Sequence, residues 1–156
     1  MTSLSEHFDL AEFCSSQTAA RMGRTIEPSP GELQNLTRLC VTVLEPLREA
    51  LGRPIHISSG LRPLWLNQAI GGSSTSAHMD GRAADIEVPG MSPLEVCRKV
   101  VELNLPIDQV IHEFPNSSGG GWCHVGIAKS DERPRNQLRT ARVVAGRTVY
   151  EIGVNA

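Results

Sequence analysis

The stretch SAHMDGRAADI, residues 76 to 86, decides how this chain folds. Its last part runs on into Glu87 and Val88, so that Ala84, Ile86 and Val88 alternate with Asp85 and Glu87. Alternation with period two puts the three apolar residues on one face of a β-strand and the two acids on the other. The Asp80-Gly81 pair ahead of it is a tight-turn dipeptide that lets the chain fold back. His78 is thereby delivered to the acid face, which its odd offset from Asp85 along a straight strand would forbid. A carboxylate buried in such a strand costs several kcal/mol unless something pairs with it. Asp85 therefore needs a partner.

Downstream, WCHVGIA at 122 to 128 shows the same alternation: Cys123, Val125 and Ile127 form an apolar face and leave Trp122 and His124 on the other. If the two strands are neighbours, His78, Asp85 and His124 converge. Two imidazoles and one carboxylate are the ligand set of a catalytic zinc whose fourth position is left to water. Spacing alone leaves the ordinary alternative open, in which each histidine is a satisfied structural residue and Asp85 an edge acid. The zinc helix H-E-x-x-H is absent, because after His112-Glu113 the position that needs histidine is Asn116.

The remaining elements follow from capping and periodicity. DLAEF pairs Asp9 with Glu12 and predicts a short helix. Ser29, Pro30 and Glu32 supply the N-cap, first and third positions of a second helix. Leu33, Leu36, Leu39, Cys40, Val43, Leu44 and Leu47 form its apolar stripe, and Pro46 is expected to kink or shorten it. PIHIS at 54 to 58 reads as a strand, and LRPLWLNQAIGG as a short helix closed by Gly71 and Gly72. SPLEVCRKVVEL carries a full capping box, Ser92 and Glu95, with Pro93 at its first position. DQVIHEF and WCHVGIA make a hairpin around PNSSGGG, and ARVVA and RTVYEI a final one. Helices first and antiparallel strands later give an α+β fold, a small and mainly antiparallel sheet with helices packed on one face. The chain reads as a single domain over 1–156, with a helical part at about 5–51, a core at about 54–128 and a C-terminal hairpin at about 140–153.

Composition narrows the function. The 156 residues carry a formal charge of −2, which argues against a general nucleic-acid binder. Arg133, Arg135, Arg139, Arg142 and Arg147 cluster late, and read as a solvated loop and strand edge. Cys14, Cys40, Cys97 and Cys123 form no C-x-x-C pair and are expected to be buried free thiols. No signal peptide is visible at MTSLSEHFDLAEF, and no apolar run approaches the roughly 18 residues of a membrane span. The expectation is a monomer synthesised in the cytoplasm.

The pattern S-x-H-x-x-G-x-A-x-D at Ser76, His78, Gly81, Ala83 and Asp85, followed by Trp122-x-His124, resembles the zinc D-Ala-D-Ala carboxypeptidase family of LAS type. ISSGLRP (57 to 63), LNQAIGGS (66 to 73) and IDQVIHEF (107 to 114) extend the likeness, and the nearest branch is the phage endolysin-like peptidoglycan peptidases. The resemblance implies a hedgehog/DD-peptidase-like fold with the zinc site on the sheet. It implies one Zn2+ on His78, Asp85 and His124, with Arg62 anchoring a substrate carboxylate or carbonyl and Ser76 bonding substrate or a zinc ligand. The implied substrate is a peptidoglycan peptide. The implied place of action is the cell wall, reached through phage lysis, within a virion or by a route not encoded here.

The general base is the one departure. The best-known members carry an acid three residues before the last zinc histidine, and here that position is Gly121. Glu113 is the nearest acid, across the hairpin, and the strand register decides whether Glu113 or His112 faces the metal. The reading adopted takes Glu113 as base and His112 as an oxyanion-stabilising neighbour. Trp122 either walls the cleft or fills the core. A non-catalytic, zinc-stabilised wall-binding or phage tail-assembly module is the alternative function, supported by Gly121.

Overall fold

The computed structural model describes residues 2–156. Two short helices open the chain, α1 (Leu10–Phe13) and α2 (Gln17–Arg21). The expected capping box of α1, Asp9 with Glu12, is present. α3 (Pro30–Leu39) starts on the Ser29–Glu32 capping box and passes through a π-helical turn (Cys40–Leu44) into α4 (Glu45–Leu51). Pro46 does not stop this segment, which runs on to Leu51. Proline has no N–H and its ring collides with the carbonyl four residues back. The wider turn absorbs it, with the Glu45 N–H bonding Cys40 O, five residues earlier. Leu36, Leu39, Cys40, Val43, Leu44 and Leu47 are all fully buried, as the stripe predicts. Each leucine stabilises the fold by about 2–3 kcal/mol.

After β1 (His56–Ser59) come α5 (Leu64–Ala69), a 3-10 turn (Ala77–Asp80), β2 (Ala83–Glu87) and α6 (Pro93–Glu102). β3 (Gln109–Glu113), β4 (Trp122–Gly126), β5 (Gln137–Val144) and β6 (Arg147–Ile152) complete one six-stranded sheet, ordered β1-β2-β4-β3-β5-β6. Helix α6 packs on β3 and β4. Ala84, Ile86, Cys123, Val125 and Val110 face the helices and join Val96, Cys97 and Leu36 in one core. The opposite face holds Asp85, His124 and Glu113.

The α+β class is as expected, but the sheet is mixed. β3 and β5 run parallel, and the other pairings are antiparallel. The cause lies in the loop after β4. β4 ends beside the start of β3, where Gly126 O accepts from Asp108 N at 2.8 Å. The chain then crosses past that end, and Gln137 N donates to Asp108 O at 2.8 Å. β5 thus enters from the same end as β3. Arg135 pins the crossing: its backbone N–H reaches Asp108 Oδ1 at 2.9 Å, and its guanidinium bonds both carboxylate oxygens, the shortest contact being 2.8 Å. The final hairpin accordingly begins at Gln137, three residues before its expected start near 140.

All four cysteines are free, three buried and Cys14 half-buried. No helix among the described residues is long and apolar enough to cross a membrane.

Candidate metal centre

β2 and β4 pair with Asp85 directly opposite His124, which sets both side chains on the helix-free face. His78 arrives from the 3-10 turn. Ser76 caps that turn by accepting from the His78 N–H at 3.3 Å, and Gly81 closes it at φ +79. A side chain at 81 would meet Glu32 O at 2.7 Å, so the turn is tied to α3 as well as to β2. Asn35 Nδ2 fixes it further by donating to Asp80 O at 2.8 Å.

Three atoms converge: His78 Nε2, His124 Nδ1 and Asp85 Oδ1. Their separations are 3.2 Å between the imidazoles and 3.3 Å from each to the carboxylate. A tetrahedral ion with ligand distances of about 2.0–2.1 Å needs ligand atoms about 3.3–3.4 Å apart. The residues fit such an ion. Their chemistry fits too. The His78 Nδ1–H donates to Gly60 O at 2.8 Å, leaving the Nε2 lone pair turned toward the other two atoms. A second lone pair and a carboxylate facing it are reconciled only by a cation or by protons. His124 Nε2 is buried with no protein hydrogen-bond partner, so the work of this ring is done at Nδ1. All three residues are buried. Burial pushes the Asp85 carboxyl up, but the charges and hydrogen bonds of His78 and His124 hold it well below the usual carboxylate range.

Glu113 stands beside this triangle. It pairs with Trp122, and Ile111 with His124. That register is two residues from a direct 113–124 pairing but has the same parity, so Glu113 shares the face of His124. Its Oε1 lies 3.4 Å from His124 Nδ1. Burial raises its carboxyl pKa, with His124 and Arg62 opposing and Asp85 adding to the rise. Gly121 shows why the acid is here and not three residues before His124. Its φ is +98, and a β-carbon there would stand 2.5 Å from Glu113 O. No side chain fits, so the carboxylate is supplied from the facing strand.

Arg62 is threaded into the same cluster. Its N–H donates to His78 O at 2.9 Å, and its Nη2 to Ser76 Oγ at 3.3 Å. Arg62 Nε is buried without a partner, and no acid pairs with this guanidinium among the described residues. Trp122 is half-buried against Phe114, ring centroids 5.4 Å apart. Both line a cleft of about 680 Å³ over the triangle, along with Arg62 and Ser76.

His112 is a correction. The register that turns Glu113 toward the triangle turns His112 to the opposite face, where its Nδ1 lies 2.6 Å from Asn155 O. It cannot reach an oxyanion in the cleft. Sequence reading also missed the far wall, where Gln137, Arg139, Thr148 and Tyr150 of the β5–β6 hairpin line the cleft. The alternation of Gln137, Arg139 and Ala141 was visible, but not the parallel pairing that brings it there.

Two imidazoles and a carboxylate on an open sheet face, with a second carboxylate alongside, could hold a metal ion and have the donor set used in metal-dependent hydrolysis. Residues 6–117 match the family model described as Peptidase M15, and the chain belongs to that family, whose members are zinc-dependent metallopeptidases. No curated protein matches the chain. His124 lies beyond the matched stretch and is brought to Asp85 by the pairing of β2 with β4, and to His78 by the 3-10 turn that precedes β2.

Proposed function

We propose that the protein is a zinc peptidase that hydrolyses an amide bond in peptidoglycan stem peptides or cross-links, as a D-Ala-D-Ala carboxypeptidase or an endolysin-type endopeptidase. The observation that carries this reading is the near-equilateral triangle of His78 Nε2, His124 Nδ1 and Asp85 Oδ1 with Glu113 beside it, in an open cleft. Those three atoms would hold one zinc ion. Bound there, zinc supplies Lewis acidity toward the scissile carbonyl and the attacking water.

The protein's own groups do the rest. Glu113 takes a proton from the attacking water at its carboxylate and returns it to the leaving amine. Arg62 holds a substrate carboxylate or carbonyl with its planar fork of donors. Ser76 accepts from both Arg62 and the His78 N–H, and so couples substrate orientation to the position of His78. Trp122 and Phe114 wall the cleft and limit water. The protein would act on the cell wall in a phage- or prophage-associated setting. The non-catalytic module draws its support from Gly121; Glu113 at 3.4 Å from His124 favours the peptidase reading over it.

The test is mass spectrometry of purified peptidoglycan after incubation with zinc-loaded protein, beside His124→Ala. New fragments from wild type, absent with the variant, are expected and locate the bond. A wild type that holds one zinc and releases nothing from several wall chemotypes would refute the peptidase reading.

A further inference from the structure

The late arginines have distinct fates. Arg135 is tied to Asp108 and Arg142 to Glu151. Arg139 is not. It is half-buried in the wall of the cleft, its one side-chain hydrogen bond within the described residues runs from Nη1 to Leu138 O at 2.9 Å, and no acid pairs with it there. Strand pairing fixes where it stands. Asp85 faces His124, His124 faces Ile111, and Ile111 faces Arg139. Arg139 is therefore two strands from His124, about 10 Å at the backbone. In the next row Trp122 faces Glu113, Glu113 faces Ala141, and Ala141 faces Tyr150. Ala141 keeps the floor low between Glu113 and the Tyr150 ring, which is exposed and lines the same cleft.

We propose that Arg139, with Tyr150 beside it, forms a second substrate subsite that takes a carboxylate of the peptide on the far side of the metal triangle from Arg62. This rests on the peptidase reading above. Arg62 follows β1 at one edge of the sheet, and Arg139 lies on β5 beyond β4 and β3. A peptide lying across the strands spans both, with its scissile bond over the triangle between them. The charges agree. Asp85 and Glu113 set against Arg62, Arg139 and a divalent ion leave the cleft with two positive charges, which matches a peptide bearing two carboxylates. A guanidinium fork suits each of them. Burial and the Glu113 charge push the Tyr150 phenol up, which keeps its hydroxyl a donor. The hairpin lies beyond residue 117, where the family match ends, so this wall rests on the strand pairing and the cleft and not on the match.

The experiment is calorimetric binding of a purified stem peptide, and of versions with each free carboxylate converted in turn to the amide. The proteins are zinc-loaded Glu113→Gln and the Glu113→Gln/Arg139→Gln pair. One amidation is expected to weaken binding to the first protein roughly tenfold. Arg139→Gln should weaken the parent peptide equally and abolish the effect of that amidation. Amidations that cost the same fold with and without Arg139, or no binding of any stem peptide, would overturn the subsite. Cleavage by proteins that keep Glu113 separates the two ideas. Hydrolysis indifferent to Arg139 removes the subsite and leaves the peptidase. Arg139-dependent binding without hydrolysis by wild type removes the peptidase and leaves the subsite.

Discussion

Gly121→Ala is the substitution whose cost follows most directly from the geometry. The new β-carbon would stand 2.5 Å from Glu113 O and 3.2 Å from the Phe114 carbonyl, all backbone atoms that cannot rotate away. A φ of +98 adds conformational strain for any residue with a side chain. Strain of about 1–2 kcal/mol and overpacking of about 1–3 kcal/mol together put the loss near 3 kcal/mol. For a domain of this size that lowers Tm by about 6–12 °C. The backbone that must yield carries Glu113, and a displacement of about 1 Å at a catalytic group costs roughly a hundredfold in rate. Urea unfolding and peptide hydrolysis on the same preparation measure both effects. Gly121→Glu should likewise fail to restore activity to Glu113→Gln, although it puts a carboxylate three residues before His124. A Gly121→Ala protein within about 0.5 kcal/mol of wild type and fully active would refute the steric reasoning, as would rescue by Gly121→Glu.

The hydrogen bonds from Arg135 hold the Asp108 carboxyl below its ordinary pKa, with burial opposing them. A depressed carboxylate contributes stability that is present above the unfolded value and lost as pH falls through the folded one. Asp108→Ala should therefore cost about 1–2 kcal/mol at pH 7, discounted for the exposed Arg135, and the difference from wild type should shrink steadily below about pH 4 in urea titrations. Leu44→Ala, at a fully buried position, should lose about 3–5 kcal/mol by the same method. Arg62→Ala should lower kcat/KM about a hundredfold without loss of bound zinc by elemental analysis; a metal-free variant would mean that Arg62 serves only to support His78. Chelation should lower Tm, by an amount that grows with the zinc concentration of the reference sample, because the ion binds only the folded triangle.

The sequence exposed what depends on local pattern. The alternation in AADIEV and WCHVGIA put Asp85 and His124 on one face, and the Asp80-Gly81 turn returned His78 to them, as found. Capping boxes at Asp9, Ser29 and Ser92 located three helices. What stayed hidden depends on partners distant in sequence. Whether Glu113 or His112 faces the triangle is one residue of register, set by how the 114–121 loop closes and not by either residue. The parallel β3–β5 pairing comes from the loop crossing that Asp108 and Arg135 hold, and no periodicity encodes it. Arg139 in the cleft is a consequence of that crossing. The passage through Pro46 required a π turn, which shows itself only in the backbone.

The central claim, that His78, Asp85 and His124 hold the metal while Glu113 moves the proton, is tested most directly by one pair of values on Glu113→Gln: zinc per chain and rate of stem-peptide cleavage. The account predicts one zinc per chain, as in wild type, with cleavage reduced roughly a thousandfold or more. Loss of the zinc would make Glu113 a metal ligand instead, and cleavage at the wild-type rate would remove it from the chemistry. Either result contradicts the account.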